Sequence, residues 1–258
     1  MNIKYLYRIS DAGRSKLKLE AASKMNCLAN FIDEFKENIL VFADNCSDET
    51  IQEIQKKGIE PIKTSLGNAA SWRYVVEYAI GNFDENDYVY LIEDDYLHLP
   101  GSLLALKEGL AISDYVTLYD HPDKYKNHDE SGPNPYVIGG GERTVVLVTK
   151  NLHWKHTNST TMSFAARVKT LKEDKKVWWY CTQDKLPNDF LAFQLLTRQR
   201  LLFTKTFYKR SVMLLFLRPM VKKRRTLICP IPGLATHAEL EWLTPLTMFH
   251  QQTSWERI

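Results

Sequence analysis

Short strand-like runs recur along the first half of the chain, at residues 3–9, 39–43, 60–63, 88–92 and 115–118. Between them, residues 18–35, 49–57, 69–81 and 102–110 space apolar side chains three and four apart, the period of a helix with one buried face. Strands that alternate with helices at this interval predict βαβ units, hence an α/β fold with a mixed, mainly parallel sheet flanked by helices. Such sheets bind ligands beyond the carboxyl ends of their strands. Asp44 and the acids Glu93, Asp94 and Asp95 fall at two of those ends.

The pattern changes after Asp120. Residues 121–141 are rich in Pro, Gly, Asn and charge and read as a long loop, a length that in a compact domain usually serves function. Residues 143–149 and 154–164 read as further strands, antiparallel to their neighbours, followed by a helix over 165–173. Asn188 is placed to cap a helix over 189–203 that carries Asp189 in its first turn. No internal repeat and no low-complexity linker interrupts the chain.

Composition narrows the class without naming a partner. With 258 residues, 44% of them hydrophobic, the chain can bury one sizeable core. A net charge of +3 is too small to argue for a polyanion as partner. Local charge says more: from 205 to 225 every ionisable side chain except Tyr208 is basic, and apolar residues are interleaved among them. That segment suits contact with an anionic membrane surface; a solvated helix face is the plainer reading, and nucleic acid is the less favoured rival. The four cysteines, Cys27, Cys46, Cys181 and Cys229, form neither a CxxC pair nor a zinc spacing, and the amino terminus lacks a signal-peptide pattern. A cytoplasmic setting is expected, at most peripheral to the inner membrane surface.

The run Tyr88-Val89-Tyr90-Leu91-Ile92 ends abruptly in Glu93-Asp94-Asp95. Alternation along a strand would turn Glu93 and Asp95 to one side and Asp94 to the other. Paired carboxylates at a strand end can hold a hard divalent cation. An acidic turn in solvent has the same sequence, so neighbouring segments must separate the two readings.

Taken in order, the strand end Val41-Phe42-Ala43-Asp44 with its turn Asn45-Cys46-Ser47-Asp48, the segment Gly67-Asn68-Ala69-Ala70-Ser71-Trp72-Arg73 and the triplet Glu93-Asp94-Asp95 resemble the nucleotide-sugar half of GT-A glycosyltransferases of the family-2-like type. The resemblance implies a nucleotide-diphospho-sugar donor, UDP-linked, and Mn2+ or Mg2+ as cofactor. Asp44 takes the position that contacts the base, Asn68 and Arg73 lie along the donor, and Glu93, Asp94 and Asp95 match the Asp-x-Asp element. Asp95 is the expected metal ligand, Glu93 reaches the ribose or a metal-bound water, and Asp94 faces away. The pattern departs from the family at Ser71-Trp72-Arg73, where Ala-Arg-Asn is usual. By position, His237 is the candidate for the late histidine that many such enzymes supply to the same ion, with His121 and the pair His153 and His156 as competitors. Asp189, at the start of a late helix, matches the general base of inverting members, with Asp184 as the alternative. Trp154, Trp178 and Trp179 are candidates for the wall of an acceptor site, since aromatic faces suit sugar rings.

The expected organisation is then a catalytic domain over 1–204, with a donor half to about 120 and an acceptor half over 121–204, and a basic extension over 205–258 that completes the site. The acceptor would be a hydroxyl of a glycan or glycoconjugate, a lipid-linked one included. Two rivals remain at this point. A sugar nucleotidyltransferase of the same fold class would carry a Gly-rich basic loop after the first strand, of which Asp11-Ala12-Gly13-Arg14-Ser15-Lys16 is an echo. A non-catalytic module would bind membrane or nucleic acid through 205–225.

Overall fold

The computed structural model describes residues 1–13, 17–198 and 224–245. Nine strands form the main sheet in the order β3-β2-β1-β4-β9-β6-β10-β8-β7. They are β1 (Ile3–Ser10), β2 (Ile39–Asp44), β3 (Ile62–Thr64), β4 (Tyr88–Glu93), β6 (Tyr115–Val116), β7 (Val146–Val148), β8 (His153–His156), β9 (Phe164–Arg167) and β10 (Leu227–Ile231). Seven run in one direction, with β8 and β9 against it. This mixed, mainly parallel sheet is the fold class expected from the pattern of elements. A second sheet of two strands pairs β5 (Tyr96–His98) with β11 (Ala235–His237).

Helices cover both faces. On one face α1 (Lys24–Phe35), α2 (Asp48–Lys56) and α4 (Ser102–Ile112) bring Phe31, Ile54 and Leu106 onto Tyr5, Tyr7 and Ile9 of β1. On the other, α3 (Asn68–Asn82), α5 (Val168–Cys181) and α6 (Asp189–Thr197) bring Trp72, Trp178 and Phe193 together with Leu6. The period of two along β1 therefore feeds two cores at once, which is why the strand reads as nearly continuous apolar sequence. The face of Leu6 also carries Lys4 and, where α3 begins, Arg8.

Several boundaries differ from the sequence expectation for local reasons. Helix α1 starts at Lys24 and not at residue 18, because Ser23 caps it by accepting from Asn26 N. Residues 17–19 pair instead with 238–240, through an antiparallel bridge between Lys18 and Glu239 and the bond Leu19 N to Ala238 O at 2.9 Å. The expected strand over 154–164 is two strands, β8 and β9, separated by the buried polar residues Thr157, Asn158, Ser159 and Thr160. Helix α5 begins at Val168, three residues later than expected, since 165–167 belong to β9.

The division expected at 204/205 lies outside the described residues. Of the part carboxyl-terminal to it, the described residues 224–245 contribute β10, an interior strand parallel to β6 and antiparallel to β8. Arg225, counted in the basic run, binds Asp114, Glu173 and Asp174 and so fastens the start of β10 to β6 and α5. Arg224 donates from Nε to Thr197 O. The rest of the expected basic surface, and the end of the helix expected over 189–203, lie outside the described residues. No helix among the described residues is long and apolar enough to cross a membrane.

Candidate active site

A cavity of about 570 Å3 opens at the carboxyl ends of β1, β2 and β4. Arg8, Lys18, Lys24, Asn68, Glu93 and Asp95 are on its wall. Parallel register builds it: Arg8 lies beside Glu93 across β1 and β4, and Ser10 beside Asp44 across β1 and β2. A second cavity, of about 660 Å3, lies among Arg143, His156, Arg198 and Arg224, and its acid, Glu142, is bonded to Thr157 and Asn158. The acid triplet belongs to the first cavity only.

Each acid of the triplet has its own partner. Glu93 is ion-paired with Arg8, whose guanidinium also donates to Asn68 Oδ1 and Ser71 Oγ, both at 2.9 Å. Asp94 accepts from Ser10 N at 2.9 Å. Burial, with the neighbouring Asp95 charge added to it, pushes its carboxyl above the usual range. Asp95 Oδ2 lies 3.2 Å from His237 Nε2 and 3.6 Å from Lys18 Nζ. Burial alone would raise the Asp95 carboxyl, but His237 and Lys18 outweigh it and hold it low. The strand ends at Glu93, so alternation does not extend through the turn at Asp94 and Asp95, and all three acids line one cavity. This corrects the expectation that Asp94 faces away.

His237 reaches the triplet through the small sheet. Residue 237 pairs with Tyr96, and Ala238 N donates to Asp95 O at 2.7 Å, which sets the end of β11 directly against the turn after β4. The imidazole Nδ1 accepts from Glu239 N at 3.2 Å, so the donor toward Asp95 is Nε2. Burial lowers the basicity of His237, yet Asp95 and Glu239 more than offset it and the net direction is upward.

Asp95, His237 and Glu239 each offer a ligand atom, and these atoms lie within 4.8 Å of one another. Asp95 Oδ1 is buried and has no hydrogen-bond partner among the described residues. A buried carboxylate oxygen left without a donor is costly unless something positive meets it. Two carboxylates and one imidazole suit a divalent cation that prefers oxygen ligands and accepts nitrogen, so these residues fit Mn2+ well and Mg2+ through the carboxylates.

Asp44 is 1% exposed and its carboxylate is filled. Oδ1 accepts from Thr64 Oγ1 and Leu66 N at 2.8 and 2.7 Å, and Oδ2 from Asn45 Nδ2 and Gly67 N at 2.8 and 3.0 Å. Four donors exhaust its lone pairs, so it organises the β3–α3 loop and is not left open for a base. Gly67, at φ 85°, takes the helix N-cap position and Asn68 is the first residue of α3. Arg73 points elsewhere: it binds Thr182 Oγ1 at 3.1 Å and Thr182 O, and lies over Trp179. That corrects its expected role along the donor, and among the described residues Arg8 is the arginine that faces the cavity.

Trp154 and Trp178 are fully buried, donating from Nε1 to Thr149 Oγ1 and Tyr115 OH respectively. Trp179 is half-buried between Arg73 and Lys175. The two buried rings are core and not an acceptor wall, and all three lie off the lining of the acid cavity. Asp189 opens α6, beneath the cap that Asn188 Oδ1 makes to Leu191 N at 3.0 Å. Burial first, and then the charge of Glu93, push its carboxyl up to about 7 against the opposing bond from Phe190 N.

No family model and no curated protein matches this chain. Solved structures do. The first 349 residues of TarS from S. aureus match at 15% identity over 86% of this chain and 73% of that one, TM-score 0.41. The bifunctional glycosyltransferase WbbM matches at 12% over 88% and 45%, TM-score 0.42. A cytidylyltransferase from Leptospira borgpetersenii matches at 13% over 68% and 64%, TM-score 0.38. The chain thus spans less than two thirds of the last two.

Four residues of the site escaped the sequence reading. Arg8 was visible as the second of two cations in β1, the one nearer its carboxyl end. Lys18 fell inside an expected helix, Lys24 begins the real one, and Glu239 stands two residues after His237. For Lys18 and Glu239 only the pairing of 17–19 with 238–240 and of β11 with β5 reveals the meeting point, and Lys24 is brought in by its bonds to Ser10 O and Asp11 at the end of β1.

Proposed function

We propose that this protein is a metal-dependent, inverting glycosyltransferase that moves a sugar from a nucleotide diphosphate, UDP-linked, to a hydroxyl of a glycan or glycoconjugate. The observation that carries the reading is the meeting of Asp95, with an unpartnered buried oxygen, His237 and Glu239 at the carboxyl end of β4. Those three residues would hold Mn2+ or Mg2+. Bound there, the ion would screen the charge that develops on a departing diphosphate.

The chain's own groups account for the rest. Lys18, beside Asp95, and Lys24, paired with Asp11, put two ammonium groups on the wall that could meet phosphates, and Asn68 keeps its amide NH2 at the start of α3. Arg8 keeps Glu93 neutralised, so that one acid of the cluster does not repel an anionic donor. Asp189 acts as base. The acceptor oxygen attacks the anomeric carbon on the face opposite the diphosphate, its proton passes to the Asp189 carboxylate, and the bond from carbon to phosphate oxygen breaks. A base with a carboxyl near 7 is matched to neutral pH.

A panel of nucleotide sugars, each tested for thermal stabilisation with Mn2+ and with chelator, tests the reading and finds the donor. Metal-dependent stabilisation by one UDP-sugar is expected in the wild type and is lost in Asp95→Asn. Equal stabilisation in both proteins would overturn the metal role of Asp95.

One observation favours a second reading. Lys18 and Lys24, on the segment that follows β1, line the cavity together with Gly13, as a basic loop serving a nucleotidyltransferase would. That enzyme would release pyrophosphate, whereas sugar transfer releases a nucleoside diphosphate.

A further inference from the structure

Lys18 stands where a cation is expected to act. Its ammonium lies 3.6 Å from Asp95 Oδ2, the oxygen that also faces His237 Nε2 at 3.2 Å, while Oδ1 of the same carboxylate has no hydrogen-bond partner among the described residues. The placement is built in by the backbone. Leu19 N donates to Ala238 O at 2.9 Å and Leu240 N to Leu17 O at 3.1 Å, so the segment carrying Lys18 is paired with the one carrying Glu239. The side chain is still 28% exposed, and four methylenes let the ammonium swing while the backbone stays.

A divalent ion on Asp95 and Glu239 would face this ammonium across a single carboxylate. Like charges so close in a half-buried site repel strongly, so ion and ammonium compete for Asp95. An ammonium leaving Asp95 needs another anion within reach of its stem. Glu93 is taken by Arg8, Asp94 accepts from Ser10 N, and Glu239 would itself be a ligand of the ion. On the reading of the site as a nucleotide-diphosphate site, on which this step rests, the donor diphosphate arrives in the same cavity as Lys18.

We infer that Lys18 holds Asp95 against metal in the nucleotide-free protein and passes to the diphosphate when the donor binds. Metal and nucleotide then bind with positive coupling that runs through Lys18. By linkage each raises the affinity of the other by one common factor.

Calorimetric titration of Mn2+, with and without UDP, into the full chain tests this in wild type, Lys18→Met, Lys18→Gln and Asp95→Asn. Without UDP, both Lys18 variants are expected to bind Mn2+ at least about fivefold more tightly than wild type. The gain in Mn2+ affinity on adding UDP should shrink in both, and Asp95→Asn should abolish Mn2+ binding. Circular dichroism spectra matching wild type show that the variants are folded, and two chemically different replacements guard against a defect of either. Mn2+ affinity unchanged or weaker in both Lys18 variants, with binding still lost in Asp95→Asn, would overturn the inference and leave the metal site standing. No Mn2+ binding that depends on Asp95 in any protein would overturn the metal reading and the inference with it.

Discussion

Asp189 must lose its proton to serve as a base, and its carboxyl is held up at about 7 by burial and by Glu93. Turnover should therefore rise with pH through about 7 and level off above it, and Asp189→Asn should lower turnover by about 10² or more while leaving UDP affinity unchanged. Stability carries the opposite sign. A carboxyl whose folded value exceeds its unfolded value of about 4 contributes fully below pH 4, and that contribution is lost as pH rises through about 7. Asp189→Asn should accordingly melt higher than wild type at pH 8, and the gap should close toward pH 4. A lower Tm at pH 8 together with a wild-type rate would remove Asp189 from the base role.

At the scale of elements, the loop between β3 and α3 depends on Asp44. Its four donors include two backbone amides, Leu66 N and Gly67 N, which Asp44→Ala would leave unmet. A loss of about 3 kcal/mol is expected, read from urea denaturation midpoints at constant slope; a loss under about 0.5 kcal/mol would mean that water replaces the carboxylate. The strands that form this end of the sheet were legible because β1, β2 and β4 are apolar runs with acids or turns at their ends. The roles of single residues were less so. Asp44 looks the same in sequence whether it meets a ligand or ties a loop, and Arg73 looks the same whether it faces the cavity or the end of α5. The triplet misled for a physical reason: alternation holds only while the backbone is extended, and it ceases at Glu93. Asp189 could be placed at a helix start because Asn188 reads as its cap, whereas His237 was named only by its position in the resemblance, the strand that carries it being too short to read.

Topology joins distant parts of the chain, and here local pattern has the least to say. Residues 224–245 fall within the extension expected over 205–258, yet β10 lies between β6 and β8, and β11 delivers His237 to Asp95. Apolar sequence such as Leu227-Ile228-Cys229 marks a buried strand but not its place in the sheet. A chain ended at residue 223 should therefore lack a cooperative thermal transition; a cooperative transition in that fragment would return 224–245 to the status of an appendage.

Pairing across the molecule brings Asp95 and His237 together, and Asp189 stands at the start of α6. Whether sugar is transferred here is decided by the products of one reaction. Phosphorus NMR of the protein incubated with Mn2+, the donor found by the nucleotide-sugar panel and an acceptor glycan should show a nucleoside diphosphate accumulating with wild type and hardly at all with Asp189→Asn. Pyrophosphate as the product would rule out sugar transfer, and equal rates for the two proteins would rule out Asp189 as its base.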